Sequence, residues 1–216
     1  MSSIPFSQTL RERTWNTHSD TEGATFMSDL MSGKGTLDDY IALVVQHYFL
    51  YEALERVEQR YLANAEASQV ITARLSRIPK LEADLKHLIG PNWRDEIAPV
   101  PATDRYVAQI EGLDPEWGGG FIAHHYTRYL GDLSGGQHIY KVMQRRFGLG
   151  DDGIAFYLFD DIADPTEFKN EYRAALDGFG WSAEEADRVI NEVIAAYELN
   201  TDVFRDLSAA KAAVSV

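Results

Sequence analysis

From Tyr40 onward the apolar residues Val44, Tyr48, Tyr51, Leu54, Val57 and Tyr61 recur at three- and four-residue steps. That spacing gathers them on one face of an α-helix. Val189, Val193, Tyr197 and Phe204 repeat the pattern near the other end, and nearly every long segment reads the same way. No stretch sustains the alternation of a half-buried strand. Helix starts are written beside these runs. Thr36-Leu37-Asp38-Asp39 and Ser182-Ala183-Glu184-Glu185 set a capping hydroxyl three residues before an acid, and Asp164-Pro165-Thr166-Glu167 adds proline at the first helical position. Glycine and proline cluster between the runs, at Gly33-Lys34-Gly35, Gly90-Pro91, Pro99-Val100-Pro101, Gly118-Gly119-Gly120 and Gly148 to Gly153. Ile154 to Phe159 has strand-like composition, but a lone strand in such a chain is improbable, so it reads as a connector. The expectation is an all-α fold, a helical bundle of about eight helices. With no repeat and no long polar linker, residues 1–216 read as a single domain, with a short flexible tail from about Ser208.

Composition narrows the function. The 216 residues hold 34 acidic and 20 basic side chains, a net charge of −14, and no cysteine. Disulfides, thiolate catalysis and cysteine-held clusters are excluded. The negative balance argues against nucleic acid or an anionic membrane surface as partner, and leaves a basic partner protein open. Met1 to Arg13 lacks the layout of a leader, and Ile41 to Tyr51, with Gln46 and His47 inside it, falls short of the ~20 apolar residues of a membrane helix. The expected setting is the cytoplasm, and the expected state a monomer.

Two segments carry candidate chemistry. His18 and Glu22 are four apart, one helical turn, and a histidine oriented by a carboxylate is a good metal or haem ligand. The same spacing also describes a surface histidine with a helical neighbour. The second segment, Tyr126 to Gln137, sits within a helical run from about Phe121 to Phe147 yet holds Gly131, Gly135 and Gly136. Interior glycines cost about 0.5–1 kcal/mol each relative to alanine. Gly131 and Gly135 share a face on which a backbone could approach something flat and wide, while Gly136 would let the helix bend. Tight helix packing uses the same spacing. Asp132 tips the balance, because a carboxylate beside a bare face suits a polar reactant better than a packed helix pair. Arg128, one turn earlier, can hold or screen it.

The run Tyr129-Leu130-Gly131-Asp132-Leu133-Ser134-Gly135-Gly136-Gln137 resembles the distal-helix signature of the haem oxygenases, and His18 followed by Thr25-Phe26-Met27-Ser28-Asp29-Leu30 resembles their proximal segment. The similarity runs in order from about Arg11 to Phe204. It implies haem b, cofactor and substrate at once, sandwiched between a proximal and a distal helix. O2 and electrons from an external reductase or ferredoxin would open the ring at the α-meso carbon, giving biliverdin, ferrous iron and CO. By the resemblance His18 is the axial iron ligand and Glu22 its hydrogen-bond partner. Gly131 and Gly135 line the distal face, and Asp132 is the catalytic carboxylate acting through ordered water. Tyr51 and Arg128 belong to its network. Lys169, Arg173 and Tyr126 meet the propionates. Arg11 stands where the family often has lysine, and arginine can also hold a propionate. Tyr197 replaces a phenylalanine of the animal enzymes, and their membrane tail has no counterpart here.

Blander readings accompany these. Lys169 and Arg173 are also what a solvated helix face looks like, and Tyr51 is also an ordinary core tyrosine. Adjacent His124 and His125 point to different faces. Asp84 and His87 supply half of a di-iron spacing whose second half is missing. The alternative of another class is a haem-binding carrier or sensor without ring opening, against which Asp132, Gly131 and Gly135 speak. A thiamine-type helical enzyme is disfavoured by the lack of cysteine.

Overall fold

The helices that start at Leu37, Pro165 and Ala183 begin where local side chains satisfy free backbone N–H groups. The structure, a computed structural model, describes residues 4–22 and 24–214. Its helices are α1 Phe6–Glu22, α2 Thr25–Ser32, α3 Leu37–Glu58, α4 Ile78–Leu88, the single turn α5 Trp93–Glu96, and α6 Pro101–Glu111. Then come α7 Gly118–His125, a π-helical turn Tyr126–Leu130, α8 Gly131–Phe147, α9 Pro165–Gly178 and α10 Ala183–Val214. Taking α7, the π-turn and α8 as one rod, and leaving α5 aside, the expected number of about eight is met among the described residues, which contain no strand. None of these helices is long and apolar enough to cross a membrane.

The starts follow the sequence. Thr36 and Asp39 exchange both bonds of a capping box, Asp39 N to Thr36 Oγ1 at 3.1 Å and Thr36 N to Asp39 Oδ2 at 2.7 Å. Asp164 accepts from the backbone of Thr166 and Glu167 ahead of Pro165, and Ser182 Oγ accepts from Glu185 N. Beyond these caps, α3 and α10 carry much of the core. Leu43, Val44, Leu50, Leu54 and Val57 meet Val189, Ile190, Val193 and Ala196 through the side chains of α6 and α7.

Two expectations need correction. Gly118 to Gly120 do not separate helices; they form the first turn of α7. A Cβ there would come within 3 Å of Asn64, Val189 and Trp117 respectively, so close packing, not chain reversal, requires the three glycines. Nor does a tail begin at Ser208. The helix continues to Val214, and Lys211 Nζ donates to Asp39 Oδ2 at 2.8 Å, docking it on the start of α3.

Between α8 and α9 the chain from Ile154 to Phe159 is the expected connector, with one 3₁₀ turn at Ala155–Tyr157. Two buried groups pin it. Asp84 on α4 accepts from Ala155 N and Phe156 N at 2.9 and 2.8 Å, which gives this acid a structural use. Arg77 donates Nη1 to the carbonyls of Phe156 and Leu158 at 3.0 and 2.8 Å. The pinned loop presses Phe156 against α3 and Tyr157 against α8.

Candidate functional site

Helix α1 packs on α9 and α10, and so faces the α7–α8 rod across a cleft. Two adjoining cavities of about 410 and 290 Å³ fill it, and both are lined by His18, Gly131 and Tyr197. The larger also meets Met27, Met31, Ile139 and Phe204 beside Arg128, Asp132 and Gly135. The smaller opens among Arg11, Trp15, Tyr126, Ser134 and Arg173, so its mouth is basic in an acidic protein.

The glycines divide by direction. A Cβ on Gly131 or Gly135 would meet nothing within 4 Å, so these two leave the α8 backbone bare towards the cleft. Gly136 also borders the larger cavity, but its Cβ direction points away from it. A Cβ there would lie 2.7 Å from Tyr157 Cδ1, so close packing against Tyr157 requires this glycine. Helical regularity is broken at the π-turn, just before Gly131, where Arg128 and Tyr129 are carried.

Opposite that bare face stands His18. The Tyr197 ring lies edge-on to it at 5.3 Å and Trp15 stacks at 6.2 Å. The side chain of Glu22 lies outside the described residues.

Asp132 stands at the start of α8 and lines the larger cavity beside the glycine face. Tyr51, fully buried on α3, donates its hydroxyl to Asp132 Oδ2. Arg128 Nη2 lies 3.6 Å from the same oxygen, and the guanidinium sits 5.1 Å from the Tyr51 ring centre. Burial pushes the Asp132 carboxyl above the usual range, with Arg128 and the Tyr51 hydroxyl opposing. Tyr51 stays protonated, since burial and the neighbouring carboxylate both raise its phenol.

At the mouth, Arg11 and Arg173 come together with Tyr126, and burial raises the Tyr126 phenol against the pull of both cations. Lys169 stands further out and reaches the rim by donating to Ser134 Oγ at 3.3 Å. His124 and His125 diverge as expected, to Glu192 Oε1 and to the Tyr172 hydroxyl, each at 2.9 Å.

Known proteins are similar to this chain over most of its length. Residues 4–206 match the family model described as heme oxygenase. A heme oxygenase 1 from Synechocystis is 36% identical over 208 residues, covering 95% of this chain and 85% of its own length. The chain belongs to the haem oxygenase family. A heme oxygenase from Rhodella violacea is likewise 36% identical, over 92% of this chain and 85% of its own. The crystal structure of the Synechocystis heme oxygenase-1 in complex with heme superposes with a TM-score of 0.88 at 34% identity, covering 98% of both chains.

Sequence reasoning does not single out two residues that hold Arg128, His47 and Asn200. Arg128 donates Nη1 to Asn200 Oδ1 at 2.8 Å and Nη2 towards His47 Nδ1 at 3.0 Å. Asn200 stands three residues after Tyr197, on the cleft face of α10. His47 was visible only as a polar interruption of an apolar stretch; its partner lies 81 residues away.

Proposed function

We propose that this haem oxygenase binds haem in the cleft between α1 and α8 and opens the ring at the α-meso carbon, yielding biliverdin, ferrous iron and CO. O2 is the co-substrate, and the electrons come from a separate reductase or ferredoxin. The observation that carries the reading is the pairing of a bare glycine face, opposite a histidine, with a buried carboxylate held by a tyrosine and an arginine. A carrier needs the first half of that arrangement and has no use for the second.

The residues present suit the group. A flat macrocycle needs a bare wall, and Gly131 and Gly135 leave one on which a Cβ would find only open space. Its two carboxylates need cations at the mouth, and Arg11 and Arg173 stand there with the Tyr126 hydroxyl. Lys169 would add a charge at the rim. Bound haem supplies the iron that activates O2 and the ring edge that is oxidised. His18 would hold the iron through a ring nitrogen, with Tyr197 backing the imidazole.

The protein's part in the chemistry is proton handling in a confined space. Asp132, its carboxyl pushed up by burial, holds a proton closer to neutrality than a free aspartate does. It would pass that proton through water ordered beside the glycine wall. Tyr51 fixes one carboxylate oxygen, and Arg128 keeps the charge from being prohibitive. Fixing the propionates sets the rotation of the ring and thereby which edge faces Asp132. In the cell the chain would work in the cytoplasm, as a monomer with its redox partner.

Absorption spectroscopy tests the reading. Haemin added to the purified protein should give a histidine-type Soret band, and a reductant in air should convert it to the broad biliverdin spectrum. A Soret band stable to reductant and air would make the chain a carrier, and no band at all would end the haem reading.

A further inference from the structure

The apolar face of α3 has one polar interruption that reaches the site. His47 stands four residues before Tyr51, so the two rings lie on the same face, one turn apart. Each grips one half of the ion pair opposite. Tyr51 donates to Asp132, and His47 Nδ1 lies 3.0 Å from Arg128 Nη2. A guanidinium has donors only, so Nδ1 is the acceptor and the imidazole proton sits on Nε2. His47 is 6% exposed and packs at 5.0 Å against Phe156, in the loop that Arg77 and Asp84 pin. Burial first, and the guanidinium second, drive its basicity well down, so the ring is neutral.

One N–H of Nη1 goes to Asn200 and one of Nη2 to His47, while Nε–H finds no acceptor among the described residues; the two bonds turn the fork so that Arg128 faces Asp132 at 3.6 Å as a charge and not as a bidentate partner. Were the fork to close on the carboxylate, it would occupy both oxygens. As arranged, Oδ2 takes Tyr51, and among the described residues no hydrogen bond is made to Oδ1. We propose that His47 is a positioning residue for Asp132: by accepting from Arg128 it keeps the guanidinium from closing on the carboxylate and leaves one carboxylate oxygen for water in the cleft. A neutral acceptor is what this task needs. An apolar residue would release Nη2, and a second carboxylate would compete with Asp132 for the charge of Arg128. The inference rests on Asp132 handling the proton.

Nitrogen-15 NMR of the labelled, haem-free protein reads the arrangement directly. His47 should show an unprotonated Nδ1 and a protonated Nε2, and a proton on Nδ1 overturns the proposal whatever the chain does with haem. Turnover supplies the second test. His47→Leu should lower kcat for biliverdin about tenfold, the scale of losing an outer-shell partner, with haem affinity within about twofold. His47→Asn, whose Oδ1 can replace Nδ1 as acceptor, should stay within about threefold of the parent. Unchanged turnover in the leucine variant, or an asparagine variant as slow as the leucine one, would sink the idea. Should His47→Leu fail to fold, the asparagine variant and the ring tautomer still decide.

Discussion

Gly131, Gly135 and Gly136 look alike in the sequence and do different work. A Cβ at either of the first two finds open space, so alanine there should recover helix propensity and stabilise the haem-free protein by about 0.5–1 kcal/mol each. The same methyl would stand where the proposed haem site puts the ring, so turnover should fall as stability rises. Gly136→Ala must displace Tyr157 and should destabilise by about 1–3 kcal/mol. Urea unfolding of the three variants checks the signs, and uniform destabilisation would refute the division. Asp132→Asn keeps an acceptor for Tyr51 but cannot relay a proton. It should bind haem nearly as tightly and make biliverdin about 100-fold more slowly. Single-turnover spectra separate the two effects, and full turnover would remove Asp132 from the chemistry. At this scale the glycine face and Asp132 are legible because they lie within one helical run. His47 and Asn200 are not, because a lone histidine on an apolar stripe reads as core until its partner is placed.

Helix starts are legible because a cap is a local event. Thr36, Asp164 and Ser182 bond to backbone two or three residues on, and nothing distant is needed to see it. The glycines of α7 follow the opposite logic, since they answer to Asn64, Trp117 and Val189. The π-turn has no local signal that periodicity detects. Asp84 shows how an element far from the cleft supports it, by pinning the loop that carries Phe156 and Tyr157. Burial, opposed by the backbone bonds from Phe156 and Ala155, raises its carboxyl from 3.8 to about 6. Between those values the folded chain binds more protons than the unfolded one. Its contribution is therefore fully present below pH 3.8 and lost as pH rises through about 6, by roughly 2–3 kcal/mol. Asp84→Asn should remove that slope, so the stability difference between parent and variant should change by that amount between pH 4 and 6.5. Parallel curves from urea titrations at the two pH values would contradict it.

For the whole molecule, the question is what joins α1 to α8. The α1 helix packs on α9 and α10, α8 lies against the Ala155–Tyr157 turn, and the cleft separates their facing surfaces. Haem held there would touch His18 on one side and the glycine face on the other, adding a bridge the bare fold lacks. Arg11 and Arg173 at the mouth would add charge-assisted bonds to its carboxylates, local attraction in a chain of net charge −14. A ligand that binds only the folded state stabilises by mass action, about 2.7 kcal/mol when free ligand is a hundredfold above Kd. For a chain of this size that is a rise in Tm of roughly 5–10 °C. Hydrogen exchange should slow most in α1 and in the π-turn and first turns of α8, the walls of the cleft. Gly135→Leu supplies the control, because its side chain enters the cavity without meeting protein at Cβ. That variant should fold with near-parental stability and gain little from haemin. A similar rise in Tm for both proteins would mean that haemin binds elsewhere on the surface, whereas a rise confined to the parent would assign the stabilisation to the space between the two helices.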